Sequence, residues 1–234
     1  MIKQELIQRS PVRIFEKSIH GGLKAGEIGI IAARKGIGKT SVLVQIALDK
    51  LMQGKKVIHV SFTQHTDYVL AWYEDIFSEI SRKKNLEHPV EVKNELVKNR
   101  VIMNFNQDGV TIDQIIRSLR AMIIEGGFAA DALIIDGFDF SRTTIEHLSK
   151  MKSFAKELGL EIWYSCNVGT EEPVYDKNNI PLILKDYIEL LDIIVILDPK
   201  SDYIHLKVVK DRGIMNPTDL ELQLDSKTLL IAER

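Results

Sequence analysis

The sequence predicts an α/β fold, a mostly parallel twisted sheet flanked by helices and closed at one edge by antiparallel C-terminal strands. Three observations predict it. Short runs rich in β-branched residues alternate along the chain with segments of helical spacing, as in strand–helix–strand units. A glycine-rich turn carrying a lysine sits between the first such strand and the first long helix. A second apolar run, Ala132-Leu-Ile-Ile, ends in Asp136 and is followed by another helix and strand. At 234 residues, 45% hydrophobic and 27% charged, the chain suits one domain over 1–234 with a substantial core, and disordered or fibrous classes are excluded.

Taken in order, Gly21, Gly22 and Gly26 mark turns before the first central strand, Ile28-Gly-Ile-Ile-Ala-Ala33. The segment Arg34-Lys35-Gly36-Ile37-Gly38-Lys39-Thr40-Ser41 follows, and helical spacing takes over from Ser41 to Lys50. This is the layout of a P-loop. Unpaired N–H groups of a helical first turn point at the ligand, and the helix dipole favours a polyanion. Lys39 is placed to reach the β- and γ-phosphates of a nucleotide, and Thr40 to offer its hydroxyl to Mg²⁺. ATP and Mg²⁺ are therefore the expected ligands. Ala33 stands where the strictest form of the pattern has a glycine.

Val57-Ile-His-Val-Ser-Phe62 reads as a second strand. Residues 66–84 read as a helix whose aromatics, Tyr68, Trp72, Tyr73 and Phe77, suit core packing or, beside Arg82-Lys-Lys84, a platform for single-stranded nucleic acid. A short helix is expected between Asn85 and Asn99, and a strand over Arg100–Phe105. Thr111-Ile-Asp-Gln114 is a capping box opening a helix to about Glu125. The strand ending at Asp136 has the Walker B pattern, delivering a carboxylate to Mg²⁺ through its water shell. Asp139 reads either as an assisting carboxylate or as a loop residue. A helix over Ser141–Leu158, capped by Gly159, leads into Glu161–Ser165, and Cys166 reads as a small packed residue. Residues 169–180 read as a polar loop. The strands Ile193–Leu197 and Tyr203–Lys210 follow, with a hairpin through Asp225-Ser-Lys227.

The order Gly-Gly-Leu-x-x-Gly-Glu over Gly21–Glu27, then strand, then P-loop, resembles the opening of the RecA-like ATPases, particularly their KaiC and DnaB branches. Ile31-Ala-Ala-Arg34 resembles the DnaB-helicase version of the loop. The resemblance runs from about Val12 to Leu230. It implies a RecA-like fold, assembly into homo-oligomeric rings or filaments, and catalytic positions in addition to the phosphate cradle. In those families strand two ends in a catalytic glutamate. Here Thr63, Gln64 and His65 follow Phe62, so Gln64 is left to position a water by hydrogen bonds, and slow or absent hydrolysis is expected. The resemblance assigns γ-phosphate sensing to Asn167. It also assigns to Lys210 and Arg212 the Lys-x-Arg finger that enters a neighbouring subunit's ATP site.

The expected function is thus an ATP-binding, oligomeric nucleotide-dependent switch, with a DNA-stimulated ATPase related to DnaB-type replicative helicases as the alternative. A net charge of −2 gives no global field for nucleic acid, so such a partner would need a local patch. The single cysteine precludes an intrachain disulfide and fits a reducing compartment. No apolar run reaches membrane-spanning length and the first ten residues lack a signal-peptide core, so a cytoplasmic location is expected.

Overall fold

The computed structural model describes residues 3–8, 10–63, 65–169, 173–217 and 222–233. Its helices are α1 (Lys3–Gln8), α2 (Pro11–Ser18), α3 (Lys39–Met52), α4 (Thr66–Lys84), α5 (Pro89–Lys98), α6 (Ile112–Arg120) and α7 (Ile145–Leu158). Its strands are β1 (Ile28–Ala33), β2 (Val57–Ser61), β3 (Arg100–Asn104), β4 (Ala132–Asp136), β5 (Glu161–Asn167), β6 (Ile193–Pro199), β7 (Tyr203–Asp211), β8 (Ile214–Met215), β9 (Leu222–Asp225) and β10 (Ile231–Glu233).

The strands form one sheet in the order β10-β9-β7-β6-β1-β5-β4-β2-β3, with β8 paired to β7. The run from β3 to β6 is parallel, and every pairing beyond β6 is antiparallel, which is the predicted fold class. Strands β1, β2 and β4 are buried along their whole length, which is why they read as continuous apolar runs rather than alternating ones. One apolar layer lies between the sheet and α1–α5, where α3 buries residues on every side and the C-terminal strands fold over it. The other lies beneath α6 and α7 and contains Phe138, Phe140, Tyr164 and Tyr187 in edge-to-face contact.

Several element boundaries differ from the sequence reading for local reasons. The predicted helix from Ser141 is two pieces, a 3₁₀ turn at Phe140–Arg142 capped by Asp139 and then α7, whose N-cap Thr144 accepts from the His147 N–H at 3.2 Å. The capping box at Thr111 and Gln114 forms, but the last turn of that helix, Ala121–Glu125, widens to a π-helical turn ending at Gly126. Of the aromatic face on α4, Tyr73 and Phe77 are buried and Trp72 half-buried, while Tyr68 is exposed. No helix among the described residues is long and apolar enough to cross a membrane.

Candidate functional site

Parallel strands end together, and that alignment builds the site. The register sets Ala33 of β1 beside Asn167 of β5, and Asp136 of β4 beside Ser61 of β2. β5 lies between β1 and β4, so the lysine-bearing turn and the aspartate are separated by one strand's width. The carboxyl ends of such strands are where open α/β sheets bind ligands. A cleft of about 910 Å³ opens there. Gly36, Gly38, Lys39 and Thr40 form one wall, Asp136, Asp139 and Ser165 another, and Trp72, Asn167 and Leu229 border it further out.

Gly36 and Gly38 have φ of +83° and +103°, so the turn uses the left-handed conformations that glycine adopts freely. At Gly38 a Cβ would stand 2.6 Å from Leu224 Cδ2, so a side chain there would also displace that leucine. The Val42 N–H then donates to the Gly38 carbonyl at 3.1 Å and α3 begins. Lys39 Nζ donates to the carbonyls of Ala33 (2.9 Å) and Arg34 (2.8 Å), folded back along the loop it would release on meeting phosphate. Burial lowers its pKa, opposed by the nearby Asp136 charge. Arg34, Lys35 and Gly36 are exposed at the mouth, and Ser41 is buried, donating to the Leu229 carbonyl at 2.7 Å.

The Thr40 hydroxyl donates to Asp136 Oδ2 at 2.7 Å. A hydroxyl and a carboxylate so placed suit a hard divalent cation such as Mg²⁺, which takes one or two protein oxygens and completes its shell with water and phosphate. Gly137 follows at φ +76°, its N–H donating to Ser165 Oγ at 2.8 Å, and a Cβ there would collide with Thr63 Oγ1 at 2.3 Å. The exits of β2, β4 and β5 are thereby locked together.

Asn167 is exposed at the end of β5 and borders the cleft. Cys166 is fully buried beside it, and burial pushes its thiol up to about 12, so it is a packed residue. Thr63 borders the cleft, whereas Gln64 lies outside the described residues.

Lys210 and Arg212 lie at the end of the sheet away from this chain's own cleft, and the role expected of them is at a neighbouring subunit's site rather than here. β7 runs antiparallel to β6, pairing Lys210 with Ile194 and Asp211 with Ile193 at the amino end of the parallel strands, the opposite end of the sheet. Arg212 has left the strand at φ +54°. Its guanidinium grips Glu27 through both carboxylate oxygens (2.9 and 2.8 Å), Asp211 (2.6 Å) and the carbonyls of Gly22 and Ile19. Lys210 Nζ is buried and donates to the Leu191 carbonyl at 2.5 Å. Both cations are committed to their own chain.

Sequence reasoning missed the share of the site that comes from far along the chain. Leu229 borders the cleft because the turn before β10 docks on α3 across nearly 190 positions, and nothing in its local pattern signals that. Trp72 was assigned to a packing stripe, and it does both.

With this geometry in hand, the sequence model of a family described as "AAA domain" matches residues 5–150, well over half of the chain. The chain belongs to this family. No curated protein matches it. The AAA domain assignment makes it a nucleotide-binding P-loop ATPase chain by family. The matched stretch carries the loop at 34–41 and Asp136, and it stops before β5, so Asn167 and the C-terminal strands lie beyond it.

Proposed function

We propose that this AAA domain protein is an ATP-binding, RecA-like protein close to the KaiC and DnaB-helicase branches, acting over 1–234 as an oligomeric nucleotide-dependent switch with slow turnover. The observation that carries the reading is the convergence of Lys39, Thr40 and Asp136 on one cleft beneath a helix N-terminus. Backbone N–H groups of the loop and the Lys39 ammonium would bind the phosphates, and Thr40 with Asp136 would hold Mg²⁺, which when bound neutralises charge on the phosphate oxygens. Asn167 is set to bond the terminal phosphate from the far wall. Slow turnover is expected from the exit of β2, where Thr63 stands in place of the carboxylate of the RecA-like families, so a proton acceptor has to come from another element.

The helicase reading is supported by the Ile31–Arg34 loop alone. Within the basic cluster it would use, Arg82 pairs with Glu79 at 2.6 Å and Lys83 bonds the Thr228 hydroxyl at 3.0 Å.

Calorimetry with ATP and Mg²⁺ tests the proposal. Lys39→Ala abolishes detectable binding while leaving the thermal unfolding midpoint in place, because Lys39 Nζ has only loop carbonyls to lose. Equal affinity in the variant and the parent removes the phosphate-cradle assignment.

A further inference from the structure

A P-loop site that hydrolyses ATP needs a group to orient the attacking water and take its proton, and strand two provides no carboxylate among its described residues. Among the described residues, one carboxylate besides Asp136 borders the cleft, that of Asp139. Its setting is more elaborate than a loop requires. The Asp139 N–H donates to Gln107 Oε1 at 2.8 Å, and Gln107 Nε2 donates back to the Asp139 carbonyl at 3.1 Å, so one side chain from the loop after β3 clamps the Asp139 backbone from both sides. An ion pair between Arg142 and Asp108 joins the same two loops a second time. Within the carboxylate, Oδ1 takes both bonds from Ser141, the N–H at 2.9 Å and the hydroxyl at 2.7 Å, which fixes the plane of the group.

Capping of the 3₁₀ turn explains the Ser141 bonds, but not the two-sided clamp by Gln107. Holding a reactive group in one orientation is what such a supporting shell does.

We infer that Asp139 is the carboxylate base of this site, replacing the one absent from the end of β2. The inference rests on the reading of the cleft as an ATP site. In the step assigned to it, a water oxygen forms a bond to the γ-phosphorus as the bond to the β–γ bridging oxygen breaks. The proton released by the water passes to the Asp139 carboxylate and from there to solvent. ADP and inorganic phosphate are the products, and no other reactant is needed. Gln107 is a positioning residue, acting through the Asp139 backbone.

Single-turnover phosphate release, ATP calorimetry and thermal unfolding on the same preparations test it. Asp139→Asn keeps the acceptor oxygen that caps Ser141 and loses only the base, so release falls by about 10²-fold or more with ATP affinity and unfolding midpoint unchanged. Gln107→Ala lowers the rate by a smaller factor at unchanged affinity, and adding it to Asp139→Asn lowers the rate no further. The inference is overturned if Asp139→Asn releases phosphate at the parent rate, if its rate and ATP affinity fall by the same factor, or if the parent releases no more than Lys39→Ala. Failure of the parent to bind ATP overturns the nucleotide reading itself, whereas binding with an unaffected Asp139→Asn rate overturns the base assignment alone.

Discussion

His59 is the most unusual residue of the core outside the cleft. It lies fully buried on β2, its Nδ1 3.1 Å from the Tyr73 hydroxyl and its Nε2 unpartnered among the described residues. Burial holds its pKa down at about 4, with the Asp136 charge opposing and the Arg100 guanidinium, stacked 4.3 Å over the Tyr73 ring, adding to the depression. An unfolded histidine binds its proton near 6.5. Between pH 6.5 and about 4 the unfolded chain therefore holds more protons than the folded one, and stability, complete above 6.5, falls as the pH falls through that window. The full loss by pH 4 is about 3 kcal/mol. Urea titrations across this range measure it, and His59→Leu removes the corresponding share of the acid slope. A slope identical in variant and parent would place the acid sensitivity elsewhere.

The P-loop helix α3 is held at its N-terminus by an element remote in sequence. Gln45 donates through Nε2 to the Leu229 carbonyl at 2.8 Å and accepts through Oε1 from the Ile231 N–H at 2.7 Å, while Ser41 donates to the same Leu229 carbonyl. Leu229 is held at φ +55°, a conformation a leucine rarely adopts, and the clamp keeps it there as part of the cleft wall. Gln45→Ala leaves the buried Ile231 N–H without its partner and the Leu229 carbonyl with Ser41 alone, at a cost of about 1–3 kcal/mol. It also weakens nucleotide binding several-fold, because the Leu229 wall is no longer fixed. Urea unfolding and ATP calorimetry measure the two effects, and a variant with normal affinity but reduced stability would confine the clamp to folding.

Across the whole molecule, the cleft and the buried ion pairs occupy opposite ends of the sheet. At the amino ends of the parallel strands, Lys50 joins Glu16 and Glu161 at 2.8 and 2.7 Å, and Arg13 reaches Asp49 at 2.7 Å, tying α2, α3 and β5 together. On the far side of β1, Arg212 binds the glycine-rich entry segment through Glu27, Gly22 and Ile19, while His20 lies 2.5 Å from Asp211. Such partly buried charges are costly to leave unpaired. Arg212→Ala lowers stability by about 2–3 kcal/mol with ATP affinity unchanged. Arg212→Lys restores only part of the loss, because an ammonium cannot form the two-pronged bond to Glu27. A variant with unaltered unfolding but weakened ATP-dependent association in the ultracentrifuge would instead make Arg212 a finger toward a neighbouring subunit.

The sequence by itself determined the fold class, the P-loop and the aspartate that faces it. These depend on interactions within a few residues: β-branched runs that bury both faces, glycines at left-handed turns, and an N-terminal helical turn with unpaired N–H groups. The capping box at Thr111 and the Gly159 cap were legible for the same reason. What the tertiary structure decided is everything that depends on which strand lies beside which. Strand order put β5 between the loop and Asp136 and so set Asn167 beside Ala33. Antiparallel pairing carried Lys210 and Arg212 to the end of the sheet away from the cleft, although a Lys-x-Arg spacing reads the same at either end. Two loops meeting at Gln107 and Asp139 gave an ordinary loop aspartate a fixed orientation in the cleft. Spacing along a chain records which residues share an element, and the sites of this protein are made where separate elements end together.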